Sequence, residues 1–261
     1  MSFAVDPDAY SRFMGRFSQP LATEFATLLD LHDGDRALDV GCGTGAFTSV
    51  LVDRLGEASV GAVDPSAPFV ESVRSRFPLV DCRLASAEEL PFDSAVFDVC
   101  AAQLVVHFMD DPVRGIREMT RVTRPGGTVA ANVWDYSDGS GPLAPFGEAR
   151  RALDPLFRGD PPRPGSARGE LESFFADAGL SAVRGTVASV EVSFGSFDEW
   201  WEPFTLGVGP VGEYVASLTS AGVAALRQAC ADLLPSGGFS TVASAWMAVA
   251  TVGEIATARP E

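Results

Sequence analysis

An acidic residue inside an apolar run, followed by three alternating glycines, constrains this chain more than any other feature. The run is Ala37-Leu38-Asp39-Val40-Gly41-Cys42-Gly43-Thr44-Gly45-Ala46-Phe47. Leu38 and Val40 read as buried strand residues. Gly41, Gly43 and Gly45 remove every Cβ where the chain swings from strand into helix, so a ligand can lie against bare backbone at a helix N-terminus. Only a ligand-binding turn needs an acid and bare backbone together.

A second strand, 58–63, ends in Asp64. This is about the ~20-residue distance at which an acid reaches ribose hydroxyls in a βαβ nucleoside site. Gly41-x-Gly43-x-x-Ala46 also fits the dinucleotide fingerprint in its Gly/Ala form, so two kinds of nucleoside ligand stay open here. Three later segments discriminate: Leu84-Ala85-Ser86-Ala87-Glu88-Glu89-Leu90-Pro91-Phe92, then Phe97-Asp98-Val99-Cys100, then Arg121-Val122-Thr123-Arg124-Pro125-Gly126-Gly127-Thr128. In this order the motifs resemble class I S-adenosylmethionine (SAM)-dependent methyltransferases. The resemblance is to the branch that includes ubiquinone/menaquinone C-methyltransferases and many small-molecule (type 11) methyltransferases. It spans roughly residues 36–133 and weakens after Trp134.

Strand-like runs at 36–41, 58–63, 80–85, 96–102 and 128–133 alternate with helical stretches, the pattern of a parallel, doubly wound sheet with its ligand at the carboxyl ends of the strands. A helix is predicted over 20–31, from Leu21, Phe25, Leu28 and Leu29. The stretch 136–169, rich in Gly, Pro and Arg, reads as an insertion. A helix over 171–179, an alternating strand over 182–192, short aromatic helices over 197–234 and a β-rich run over 240–252 follow. The resemblance implies that these two strands complete the sheet. The expected fold is therefore α/β, a Rossmann-like seven-stranded sheet with a reversed edge strand, plus a small helical cap. Its expected divisions are N-terminal helices or lid over 1–35, the cofactor-binding core over 36–135, an inserted cap over 136–181, and sheet-completing strands with an aromatic lid over 182–261.

The chain of 261 residues is long enough for one compact α/β core and a cap. A net charge of −16 argues against nucleic acid as partner, because that affinity rests on clustered cations. No basic-then-apolar leader and no membrane-length apolar run is legible, so a cytoplasmic protein without a membrane partner is expected. Cys42, Cys82, Cys100 and Cys230 are far apart in sequence and form no Cys-x-x-Cys pair, so reduced, buried thiols and no metal site are expected.

The resemblance implies roles for individual residues. Asp39 helps to bind a methionine ammonium. Gly41, Cys42, Gly43 and Gly45 form the turn that lets the methionine and ribose lie close, and Asp64 takes the ribose hydroxyls. Pro65 and Phe69 are read as flanking adenine, with plain core packing as the alternative for Phe69. Ser86 stands where many relatives carry Asp, leaving its hydroxyl or the backbone of Ala87 and Glu88 to meet the adenine amine. Gln103 supports the methionine moiety. His107 is a candidate general base, or a half-buried residue of the motif. Tyr10, Arg16, His107, Trp134, Trp200 and Trp201 are candidate acceptor contacts, with ordinary cap packing as the alternative for each Trp. The implied activity is in-line methyl transfer from SAM to an O, N or C atom of a small molecule. A nicotinamide-dependent oxidoreductase and a non-catalytic SAM-binding protein remain the alternatives.

Overall fold

The structure is a computed structural model that describes residue 9 and residues 11–136, 140–159 and 163–253. Tyr10, a candidate acceptor contact, lies outside the described residues, as does the stretch 254–261.

Seven strands form one sheet: β1 (Ala37–Val40), β2 (Val60–Asp64), β3 (Asp81–Leu84), β4 (Phe97–Gln103), β5 (Thr123–Trp134), β6 (Arg184–Phe194) and β7 (Phe239–Thr251). Their order is β3-β2-β1-β4-β5-β7-β6. β1 to β5 are mutually parallel, while β7 runs antiparallel to both β5 and β6. The reversed strand is thus one place in from the edge, which β6 occupies. The chain reverses direction across the sheet between β1 and β4, and a ligand crevice opens at such a switch point.

Strands buried on both faces read as near-continuous apolar runs, and alternate residues serve two cores. Ala37, Ala62, Val99 and Ala130 face the helices α1 (Arg16–Ala26) and α2 (Ala46–Leu55). Leu38, Val63, Cys100 and Val129 face the opposite layer, which holds α4 (Pro112–Val122) and α6 (Glu170–Asp177). Between them in sequence are α3 (Ala67–Arg76), which follows β2, and α5 (Ala144–Leu153), which follows β5. Three further helices, α7 (Phe197–Trp201), α8 (Gly209–Ser217) and α9 (Ser220–Leu233), separate β6 from β7.

Several local expectations shift. The helix expected over 20–31 begins at Arg16, contains Pro20 in its interior, and gives way to turns after Ala26. Leu29 still reaches the core from those turns, at 1% exposure. The stretch 136–169 contains α5, whose Phe146 and Ala149 are buried; the Gly, Pro and Arg around it hid its short apolar face. β5 begins at Thr123, five residues before the expected start: Thr123 pairs with Phe97 of β4, and Gly126 N–H donates to Val252 O just past the end of β7.

Candidate functional site

The turn after β1 is shaped by contacts that only glycine permits. Gly41 has φ +73°, and a Cβ there would lie 2.3 Å from Cγ2 of Val105, so the β4 loop closes directly on the backbone. Gly43 has φ +52°, but a Cβ there would meet nothing within 4 Å and would project into open space. The N–H groups of Gly41 and Cys42 both donate to Val63 O, at 2.8 and 2.9 Å, which pins the turn over the end of β2.

Asp64, at that strand end, gathers the turn. Its Oδ2 accepts from Gly43 N–H at 2.9 Å and its Oδ1 from Ser66 N–H at 2.8 Å. The second contact anchors the start of α3, and each carboxylate oxygen keeps a further acceptor position. Burial raises its pKa, opposed by these two backbone bonds.

Asp39 is 1% exposed. Thr48, on the first turn of α2, donates its hydroxyl to Asp39 Oδ2 at 2.6 Å, whereas Oδ1 has no partner within the protein. Desolvation dominates its titration and lifts the pKa from 3.8 to about 7, against the Thr48 bond and with the nearby Asp64 charge adding to the rise. Gln103, at the end of β4, donates Nε2–H to Ser18 O at 3.0 Å, and its Oε1 is likewise without a partner. Ser18 was not singled out in sequence; it is the α1 residue on which Gln103 is anchored.

These groups line one cleft, partly open to solvent. Asp39, Gly41, Cys42, Gly43, Asp64, Pro65 and Gln103 all line it, as do Phe69 from α3 and Phe108 from the β4 loop. Gly45 stands at the α2 N-terminus against Val73, outside the lining. Ser86 is exposed and Ala87 belongs to the second core, neither reaching the cleft wall. Glu88 instead accepts from Asp110 N–H at 2.8 Å, just ahead of α4.

His107 lies behind Phe108, with ring centroids 3.9 Å apart, and does not line the cleft. Burial, with Arg163 nearby, lowers its pKa from 6.5 to about 3, and its Nδ1 has no partner. A neutral imidazole with so acidic a conjugate acid is a weak base at neutral pH.

The remaining candidates form an aromatic cluster under the cap. Trp134 ends β5 at 1% exposure, edge-on to Phe17 at 6.4 Å. Trp200 and Trp201 are buried, with Phe204 centroids 4.7 and 6.0 Å away. Phe13, Phe17, Phe194, Trp200 and Phe204, with Arg16 at one side, pack around a second gap with room for no more than about one water molecule. Arg16 Nη2 meets Glu199 Oε1 at 2.5 Å, and its guanidinium lies over the Phe194 ring. Phe17 walls this space while its neighbour Ser18 lines the cleft, so the two cavities adjoin through α1.

The pattern of acceptors limits what the cleft can hold. Two buried oxygens without donors, Asp39 Oδ1 and Gln103 Oε1, call for a cationic or donor-rich group, and a buried acceptor left unmatched costs about 1–3 kcal/mol. A methionine ammonium meets that demand, a diol suits the free positions of Asp64, and the bare Gly43 leaves room between them. Among the described residues no cluster of His, Cys, Asp or Glu could hold a metal ion, and no helix is long and apolar enough to cross a membrane.

Comparison with known proteins agrees with this geometry. A family model described as a methyltransferase domain matches residues 38–131. An uncharacterised methyltransferase of Mycobacterium tuberculosis is 37% identical over 138 residues, covering 53% of this chain and 54% of the relative. A malonyl-[acyl-carrier protein] O-methyltransferase of Serratia marcescens is 32% identical over 123 residues, covering 47% and 46%. The chain spans about half the length of the curated relatives it matches. Among solved structures, the YcgJ protein of Bacillus subtilis aligns with TM-score 0.56 at 18% identity over 90% of this chain and 99% of its own. A geranyl diphosphate methyltransferase in complex with SAM aligns with TM-score 0.52 at 18% identity, over 91% and 87%. At such identities the likeness establishes the fold.

Proposed function

We infer that this chain, whose residues 38–131 belong to the methyltransferase-domain family of the class I SAM-dependent type, binds SAM and methylates a small molecule. The observation that carries the reading is the pair of unmatched buried acceptors, Asp39 Oδ1 and Gln103 Oε1, in two residues that line a cleft together with Asp64 and a glycine turn. A nicotinamide dinucleotide carries no ammonium for the first two. No observation favours it, and none favours a protein that binds SAM without turning it over.

When bound, SAM supplies an electrophilic methyl on a sulfonium. Asp39 and Gln103 hold the ammonium, Asp64 takes the ribose diol, and Pro65 with Phe69 flanks the adenine. These contacts fix the donor so that the acceptor can approach in line, and alignment alone supplies much of the rate in such a displacement. The acceptor approaches from the side of the aromatic cluster under the cap, where Phe17, Trp200 and Phe204 exclude water and must part to admit it. Arg16 and Glu199 flank its rim, and Trp134 and Trp201 back its walls. His107, neutral and behind Phe108, holds the loop rather than taking a proton. The acceptor is therefore an apolar or aromatic molecule whose reacting atom is already nucleophilic at neutral pH.

Titration calorimetry with S-adenosylhomocysteine (SAH) and with NADH tests the reading. Saturable SAH binding without heat from NADH is expected; NADH binding with no heat from SAH overturns it. Transfer of labelled methyl from SAM into a metabolite extract then identifies the acceptor.

A further inference from the structure

β4 ends in a backbone conformation that its sequence disfavours. Four non-glycine residues among those described take a positive φ: Asp30, Ala95, Ala182 and Leu104, the last at +60°. Of these, Leu104 alone lines the cleft, between Gln103 and Val105, which line it too. A left-handed leucine crowds its Cβ against its own carbonyl oxygen, and such strain persists only where the surroundings over-determine it.

Two neighbours supply that constraint. On one side Val105 packs on the bare backbone of Gly41, where a Cβ would lie 2.3 Å from Val105 Cγ2. On the other stands Asn132 of β5, the register partner of Gln103 and fully buried. The N–H of Leu104 is shared between two acceptors of that one residue, the main-chain oxygen at 3.0 Å and Oδ1 at 3.1 Å. The main-chain bond continues the β4–β5 ladder, and any residue at 132 could accept it. The Oδ1 bond belongs to this side chain, and it fixes the peptide that leads into the strained φ. It leaves Asn132 Nδ2 buried with no partner among the described residues, a penalty that an apolar side chain of similar size would avoid. Asn132 lines neither the cleft nor the aromatic gap, so its influence on a ligand passes through Leu104.

We propose that Asn132 is a positioning residue for the cofactor site. Its Oδ1 fixes the Gln103–Leu104 peptide, which keeps Leu104 left-handed, and the turn so formed orients the Gln103 amide and seats Val105 on Gly41. Phe108 N–H donates to Val105 O at 2.8 Å, so residues 105–108 move as one turn. Released from Oδ1, Leu104 relaxes toward a negative φ and carries Val105 and Phe108, both of the cleft wall, out of place. The consequence for binding rests on the cleft being the SAM site; the strain at Leu104 does not.

Full-length protein carrying Asn132→Ala is titrated with SAH in three backgrounds: wild type, Leu104→Ala and Leu104→Gly. Alanine at 104 keeps the Cβ and the left-handed strain, whereas glycine carries neither. Asn132→Ala is expected to weaken SAH binding about tenfold in the wild-type and Leu104→Ala backgrounds, and by less than about threefold in Leu104→Gly. Asn132→Val, which fills the site without offering an acceptor, repeats the series and is expected to give the same pattern. Equal losses in all three backgrounds, as packing alone would produce, or unchanged affinity in both variants at 132, overturns the proposal. Urea unfolding supplies a reading that needs no change at 132. Leu104→Gly is expected to be at least as stable as Leu104→Ala, the reverse of their order at an ordinary φ, and a more stable Leu104→Ala also overturns the proposal. Wild type that ignores SAH overturns the cofactor reading and the binding consequence with it, while the urea order still reports whether Leu104 is held left-handed.

Discussion

Thr48 donates its hydroxyl to one oxygen of Asp39 at 2.6 Å, and the other oxygen of that carboxylate, equally buried, receives no donor from the protein. The arrangement fixes the carboxylate in one rotamer while leaving it half-neutralised. In the proposed reading it is a socket for a cation that arrives with the ligand.

Proton release on binding follows from this socket. Asp39 titrates at about 7 in the free protein, chiefly because burial disfavours its charge. A bound ammonium restores the charged form, so below pH 7 binding expels a proton and affinity falls by up to about tenfold per pH unit. Calorimetry of SAH binding at pH 6, in buffers of differing ionisation enthalpy, is expected to show release of close to one proton. Asp39→Asn is expected to abolish the release and to weaken binding at pH 8. Binding at pH 6 with no proton released would remove Asp39 from the ammonium site.

Gly41 and Gly43 are expected to fail in different ways. Alanine at position 41 places a Cβ 2.3 Å from Val105 Cγ2 at a φ of +73°. Backbone strain of about 1–2 kcal/mol and overpacking of about 1–3 kcal/mol then add. Urea unfolding is expected to show the combined loss, and Val105→Ala to return part of it. Alanine at 43 has space, so only strain of about 1–2 kcal/mol appears in unfolding, whereas its methyl stands in the cleft and SAH binding is lost. A Gly43→Ala protein that binds SAH like wild type contradicts the placement of ligand over this turn.

Asp64→Ala removes the acceptor for a diol and the partner of Gly43 N–H together. Two charge-assisted hydrogen bonds at about 1.5–3 kcal/mol each amount to a loss of roughly 10² to 10⁴ in SAH affinity. Competition against 2′-deoxyadenosine analogues checks the assignment, because a ligand lacking one hydroxyl is expected to lose less on the same substitution. Unchanged SAH affinity in Asp64→Ala refutes it.

The glycine turn, Asp39 and Asp64 were legible because they depart from local rules: acids at apolar strands and bare backbone at a helix start stand out in sequence, although Val105 also packs on Gly41. The five parallel strands were legible from their apolar runs. What escaped the sequence was contact at a distance. Thr48 belongs to α2 by sequence and to Asp39 by function, and Ser18 is joined to Gln103 across 85 residues. His107 reads as a base by residue type, but its burial behind Phe108 sets its chemistry. Helix α5 was hidden because Gly, Pro and Arg dominate its neighbourhood, leaving Phe146 and Ala149 as its buried stripe.

Asp39 and His107 act oppositely on stability, and each conceals the other. The folded pKa of His107 falls from 6.5 to about 3, so the unfolded chain binds the extra proton in that window and stability is lost as pH falls. The folded pKa of Asp39 rises from 3.8 to about 7, so the folded chain holds the extra proton and stability is lost as pH rises. Over the shared range, about pH 4 to 6.5, each contributes up to about 3 kcal/mol of opposite sign, and in the wild type without ligand the two contributions largely cancel. His107→Gln uncovers the Asp39 slope, with stability falling from pH 4 to 6.5. Asp39→Asn uncovers the His107 slope, with stability rising over the same range. The double variant returns to the wild-type profile. Urea unfolding at half-unit pH steps reads these slopes directly; single variants that both track the wild type would mean that neither group is held in the protonation state its burial imposes.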